Sequence, residues 1–112
     1  MGMELRVLGS SSSGNCYILD NGNEALIIEA GIRFIDVKKA LDFNIRKVVG
    51  CLITHQHNDH AKYAKAMVDC GFHVLALPEV IESKELKGSR VKAIKIGSGY
   101  LLGGFRVIPF PA

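Results

Sequence analysis

Val48-Val49-Gly50-Cys51-Leu52-Ile53-Thr54-His55-Gln56-His57-Asn58-Asp59-His60-Ala61 is the stretch on which the fold turns. Its first six residues are almost unbroken in apolar character, the pattern of a strand covered on both faces. The next seven are polar and hold three of the chain's four histidines. Tyr63, Ala64, Met67 and Val68 then recur at helical spacing. That spacing predicts a helix over 61–70, capped by Asn58 or Asp59 and closed by Gly71.

The polar segment has the composition of a metal site. His55 and His57 stand two apart at the end of an extended segment, so their rings should project to one side. Imidazole is a good ligand for zinc and similar borderline metals. Asp59 and His60 follow where the chain reverses into the helix, and both can point back toward the first pair. A closed structural zinc site would use four ligands, often cysteines, and no cysteine lies nearby. A histidine and carboxylate set suits catalysis, because it leaves a position for water. A bound metal lowers the pKa of that water from near 16 to about 7, and two metals about 3.5–4 Å apart can also polarise a substrate oxygen. A solvated loop could hold one histidine by chance. It is a poor account of H-x-H-x-D-H between an apolar strand and a helix.

Working outward, residues 4–8 alternate as a strand. Gly9-Ser10-Ser11-Ser12-Ser13-Gly14-Asn15 reads as a flexible turn-forming run. Residues 16–19 make a second strand, Asp20-Asn21-Gly22-Asn23 a hairpin turn, and Ala25–Ile28 a third strand ended by Gly31. A helix fits 35–41. Downstream, 73–76 is a short strand and Pro78 opens a helix through 84. Residues 91–96 and 105–108 are further strands, joined by a glycine-rich hairpin loop over 97–104. The order predicts a mixed α/β (α+β) domain with a sheet covered by helices. The serine run has two readings: N–H groups and hydroxyls of Ser11 and Ser12 contacting a substrate phosphate, or a plain loop beneath the site. His73, inside a strand, reads as structural.

Composition bounds the rest. The 112 residues suit one domain, and 48% hydrophobic with 22% charged residues is ordinary for a soluble globular protein. Lys+Arg 14 against Asp+Glu 11 gives a net charge of +3. The basic residues are spread along the chain, so an anionic substrate is permitted but not demanded. No apolar run approaches the roughly 20 residues of a membrane span, and the N-terminus has no apolar signal segment. Cys16, Cys51 and Cys70 are odd in number and lack C-x-x-C spacing. They read as small buried hydrophobes in a reducing, cytoplasmic setting.

The segment Leu52 through His60 strongly resembles the signature of the metallo-β-lactamase superfamily. Leu8-Gly9-Ser10-Ser11-Ser12-Ser13-Gly14-Asn15-Cys16-Tyr17 is similar to the opening of one branch, which holds the YycJ-type proteins and related phosphodiesterase or nuclease-like members. Ile27-Ile28-Glu29-Ala30-Gly31 resembles a further family segment, with Glu29 where the family usually has Asp. The resemblance implies an αβ/βα sandwich of which this chain is the N-terminal half, a single partial domain over 1–112 truncated after Ala112. It implies that His55 and His57 bind a first metal and that Asp59 and His60 bind a second. Asp59 would also orient the attacking water, and Glu29 would be a supporting acid rather than a principal ligand. A third histidine, a bridging aspartate and a final histidine would lie beyond Ala112.

The implied cofactors are two divalent metal ions in the complete domain, zinc ahead of manganese or iron, with one or none in this chain alone. The implied activity is nuclease-like hydrolysis of phosphodiester bonds, with an anionic or nucleic-acid substrate. Two alternatives stand beside it: a non-catalytic metal-binding or interaction module, since half the ligand set is absent, and a thioester or lactam hydrolase. A half sandwich would leave one sheet face and its edge strands bare, so the isolated chain is expected to self-associate.

Overall fold

In the computed structural model, which describes residues 2–111, six strands lie side by side in the order in which the chain makes them. β1 (Glu4–Ser11), β2 (Gly14–Asp20) and β3 (Ala25–Ile28) form an antiparallel meander. β4 (Val48–Ile53), β5 (Val74–Ala76) and β6 (Val91–Ala93) extend the sheet in parallel. Each parallel step requires a crossover. These are supplied by α1 (Phe34–Ala40), by the pair α2 (Asn58–Ala61) and α3 (Ala64–Asp69), and by α4 (Pro78–Ser83). β7 (Tyr100–Leu102) and β8 (Phe105–Val107) form a separate antiparallel hairpin.

Alternation along the strands builds two cores. One sheet face presents Ile18, Ile27, Cys51, Ile53 and Val74, which meet Val37, Ala64, Met67 and Val80 of the helices. The other presents Leu26, Leu52 and Leu75, which meet Leu102 and Phe105 of the hairpin. β4 serves both cores, and this is why its sequence is apolar without a break. Burying one such Ile or Leu is worth about 1.5–3 kcal/mol. The ends of β3 and β4 are therefore held firmly, and the candidate site is attached to them. This is the mixed α/β architecture with covering helices that the sequence predicts.

Several boundaries differ from the sequence reading, each for a physical reason. The serine run is not a loose loop. β1 continues through Ser11 and β2 begins at Gly14, so only Ser12 and Ser13 turn. The helix expected over 61–70 is two pieces. Tyr63 N–H leaves the helical ladder and donates to Ala30 O at 2.9 Å, while the Asp59 carbonyl it would have used accepts from Asn15 Nδ2 at 3.1 Å. Neither Asn58 nor Asp59 caps that helix. His57 occupies the cap position, with no side-chain cap hydrogen bond. The glycine-rich stretch 97–104 is not one hairpin loop joining β6 to β8. It contains β7, and the turn to β8 falls at Gly103, whose φ is +56°. Tyr100 and Leu102 carry a short apolar alternation that the surrounding glycines obscured.

The sheet face expected to be bare is covered at its middle by β7 and β8. It stays open at β1, where Leu5 and Val7 pair with Leu19 and Tyr17 and are 57% and 55% exposed.

Asp20, at the end of β2, is buried and fastens the meander to the β4 side of the sheet. Its Oδ2 accepts from Lys47 Nζ at 2.8 Å and its Oδ1 from Gly22 N–H at 2.8 Å. The Lys47 hydrogen bond, then that of Gly22, holds the Asp20 carboxyl below its ordinary range. A carboxyl with a lowered folded pKa contributes stability above its unfolded pKa and loses it as pH falls through the folded one. Asp20→Asn should therefore cost about 2 kcal/mol at pH 7, and less at an acid pH below the ordinary carboxylate range. Urea unfolding of both proteins at the two pH values checks this; an equal deficit at both would contradict it.

Candidate metal centre

β3 and β4 are parallel neighbours and end side by side. In open α/β sheets ligands gather at the carboxyl ends of the strands, and the histidine cluster follows this end of β4. Glu29 follows β3. Its N–H still donates to Leu52 O at 2.7 Å, after which its backbone turns to φ +68°. That left-handed conformation costs on the order of 1–2 kcal/mol for a residue with a side chain. Such strain persists where the surroundings over-determine it and is concentrated at functional sites. Here Glu29 Oε1 accepts Thr54 N–H at 3.0 Å, and Oε2 accepts the Thr54 hydroxyl. On the following residues, Ala30 N–H donates to His60 O at 2.6 Å and Gly31 N–H to Asn15 O at 2.9 Å.

Around the Glu29 carboxylate the side chains converge. His55 Nδ1 lies 2.7 Å from Thr54 Oγ1. The His55 and His60 rings stand 4.4 Å apart between centroids. His60 Nδ1 is 3.6 Å from Glu29 Oε2, and His60 Nε2 is 3.5 Å from Asp59 Oδ2. Glu29, His55 and His60 each offer a ligand atom, all within 4.8 Å of one another.

Asn15 closes the site from the β2 side. It is buried, and its Nδ2 donates to Ser11 O at 2.9 Å and to Asp59 O at 3.1 Å. Those two bonds engage both amide hydrogens. Asp59 Oδ2 and His60 Nε2, at 3.3 and 3.5 Å from the same nitrogen, are left with only longer contacts. The carboxylate oxygen and the ring nitrogen face each other across 3.5 Å. Together with the histidine and carboxylate chemistry of the set, this fits a divalent cation.

Of the residues picked from the sequence, His55, Asp59 and His60 are brought together. His57 is exposed at the start of α2 and stands outside the Glu29, His55 and His60 group. The strand ends at Ile53, so its pleat no longer dictates where residues 55 and 57 point. Ser11 and Ser12 sit exposed at the tip of the β1–β2 hairpin. There Ser11 Oγ pairs with Ser13 Oγ at 2.7 Å, and Ser11 reaches the site only through its carbonyl. His73 is exposed, with its carbonyl accepting Cys51 N–H at 2.8 Å. Asn15 and Thr54 were not singled out from the sequence. No sequence signal marked Asn15, because the turn-forming run hides that β2 begins at Gly14 and takes the asparagine into a strand.

The cysteines stand apart from this chemistry. Cys16 and Cys51 are fully buried in the helix-side core, and burial pushes the Cys16 thiol up to about 12. An open cavity of about 270 Å³ borders the site, with His55 and Thr54 on one side and Leu77, Ile96 and Phe110 on the other. No helix among the described residues is long and apolar enough to cross a membrane.

The sequence profile of the metallo-beta-lactamase superfamily matches residues 10–66, a span that takes in the β1–β2 turn, Glu29 and the whole histidine cluster. An exodeoxyribonuclease YycJ of Bacillus anthracis is 35% identical over 65 residues, which are 55% of this chain and 25% of that protein. Among solved structures, the metallo-beta-lactamase fold protein YhfI from Bacillus subtilis superposes with a TM-score of 0.73 at 15% identity. The match covers 96% of this chain and 52% of YhfI. A chemotaxis sensor described with a peroxy diiron species gives the same TM-score at 16% identity, over 96% of this chain and 49% of the sensor. These two likenesses concern the fold alone. The chain spans a quarter of the YycJ relative and about half of each structural neighbour.

Proposed function

The chain belongs to the metallo-beta-lactamase superfamily, and on that footing we propose that the whole protein is a metal-dependent, nuclease-like hydrolase of phosphodiester bonds. The observation that carries this reading is the convergence of Glu29, His55 and His60, with Asp59 alongside, at the carboxyl ends of β3 and β4. The substrate class is supported by likeness to an exodeoxyribonuclease and by the mild positive charge. Fold does not decide function, as a diiron sensor among the structural neighbours illustrates.

In this reading residues 1–112 are one partial domain. His55 and His57 serve a first ion; Asp59 and His60 serve a second. His57 joins the set by rotation of an exposed side chain. Zinc is the first choice for these donors, with manganese and iron as alternatives. A divalent ion there supplies Lewis acidity and a water whose pKa falls to about 7. Asp59 orients that water. In the same reading the hydroxyls of Ser11 and Ser12, exposed at the hairpin tip, contact a substrate phosphate.

The test uses the full-length protein, measuring metal content and degradation of linear DNA. About two ions per chain and DNA hydrolysis are expected, with His57→Ala losing one ion and activity. Absence of metal from both proteins would sink the site. A metal-loaded enzyme inert on DNA and on bis-p-nitrophenyl phosphate, but active on a thioester or lactam, would overturn the substrate class.

A second reading concerns the 112 residues by themselves. Among the described residues one three-donor group stands out, which favours a metal-binding module that holds a single ion without turnover. Its open apolar corner at Leu5 and Val7 supports self-association. A monodisperse monomer in light scattering would contradict the latter.

A further inference from the structure

We propose that a cavity at the amino-terminal ends of β5 and β6 binds a phosphate ester of nucleotide size, at a site separate from the metal centre. Its volume is about 560 Å³, within the range of small-molecule sites and far more than a bare phosphate fills. The metal centre lies past the opposite, carboxyl ends of β3 and β4, and the two sites share no residue. This site stands whether or not the metal centre hydrolyses phosphodiesters.

The sheet builds a cationic wall. β5 and β6 are parallel neighbours with Leu75 opposite Lys92. Leu75 belongs to the hairpin-side core, so Lys92, directly across from it, faces the hairpin too. His73 and Arg90, the residues just before the two strands, line the same cavity. The backbones beneath them are fixed: His73 O accepts Cys51 N–H at 2.8 Å, and Arg90 O accepts Val74 N–H at 3.0 Å. Among the described residues Arg90 and Lys92 have no ion-pair partner, unlike Arg6, Arg33 and Lys47. No acidic side chain among the described residues lines the cavity. Two like charges sharing one concavity repel unless an anion joins them, and a concave site of one sign concentrates such ions.

The rest of the lining suits the remainder of such a ligand. Leu75 and Leu102 are buried and give the cavity an apolar floor. Tyr100 has its ring held from two sides: Lys92 Nζ lies 5.5 Å from the centroid, and the hydroxyl accepts Lys95 N–H at 2.8 Å. Leu101, 76% exposed, borders the cavity where a flat base would cover it. Arginine takes a phosphate through paired N–H donors and lysine takes it as a point charge. A free phosphate would leave the apolar floor bare, and an uncharged nucleoside would leave the cations bare. A phosphate joined to a nucleobase satisfies both.

The test is calorimetric binding of deoxyadenosine monophosphate to the full-length protein at low salt. Arg90→Gln and Lys92→Gln should each weaken this binding about 10–100-fold, the loss of one charge-assisted contact. Both positions are exposed, so the melting temperature should hold in each variant. Deoxyadenosine and inorganic phosphate should each bind far more weakly than the nucleotide, and His57→Ala should bind it as the wild type does. No binding by the wild type would overturn the site. So would binding lost in His57→Ala and kept in Lys92→Gln, which would put the nucleotide at the metal centre. A single-stranded oligonucleotide held more tightly through Arg90 and Lys92 would make a strand the occupant and overturn the nucleotide. A wild type that binds the nucleotide yet hydrolyses no phosphodiester would keep this site and sink the hydrolase reading instead.

Discussion

Gly31→Ala is expected to cost about 3 kcal/mol of stability and to abolish metal binding in the same step. A Cβ at position 31 would fall 2.0 Å from the Asp59 carbonyl oxygen and 2.7 Å from the Asn15 nitrogen. Both obstacles are backbone, and neither can step aside alone. Asp59 O is held by Asn15 Nδ2 at 3.1 Å, while Ala30 on one side of Gly31 bonds His60 O and Tyr63 N–H. The strand end, the hairpin root and the start of α2 meet at one point, and only a residue without a side chain fits between them. Overpacking usually costs 1–3 kcal/mol because side chains can shift; this site should reach the upper end. For a domain of about this size the melting temperature should fall by more than 10 °C. Circular dichroism melts with and without zinc check it, and an unchanged melt with intact zinc binding would show that the segments are free to separate.

Asp59→Asn is expected to do the reverse: leave the fold standing and remove the activity. The Asp59 side chain is partly exposed; its backbone carbonyl accepts from Asn15 Nδ2 at 3.1 Å, and its carboxylate meets the same nitrogen at the longer 3.3 Å, a contact an asparagine oxygen can keep. An asparagine keeps the shape but withdraws the negative charge facing His60 Nε2 at 3.5 Å. In the full-length protein the rate on a phosphodiester substrate should drop about 10²–10⁴-fold, the range associated with one acid–base group. The melting temperature of the metal-free protein should hardly change. A large fall in that melt with activity preserved would reassign Asp59 to structure. The contrast with Gly31→Ala separates what holds the site together from what the site does.

How much of this was legible in the sequence depends on the range of the interaction. β3 and β4 were read to their ends, because alternation and an unbroken apolar run are local signals. The cluster at the end of β4 was legible for the same reason, with three of its four expected ligands gathered in space. The break between α2 and α3 was not. It arises because Asn15 and Ala30, far away in sequence, compete for the hydrogen bonds of Asp59 and Tyr63. Thr54 was hidden likewise: its role exists only once Glu29 lies beside it, and no spacing within residues 54–60 announces a partner 25 positions earlier. β7 was lost among glycines because three residues are too few for a pattern.

The bond from Asn15 to Asp59 has a kinetic consequence. It joins residues 44 positions apart, and closing long loops slows folding. The β1–β2 hairpin can zip as soon as it is synthesised, but the cradle around Asp59 and His60 cannot exist until residue 60 has emerged and docked onto it. A nascent chain therefore offers an arriving ion only loose histidines, and tight capture waits for the long-range closure.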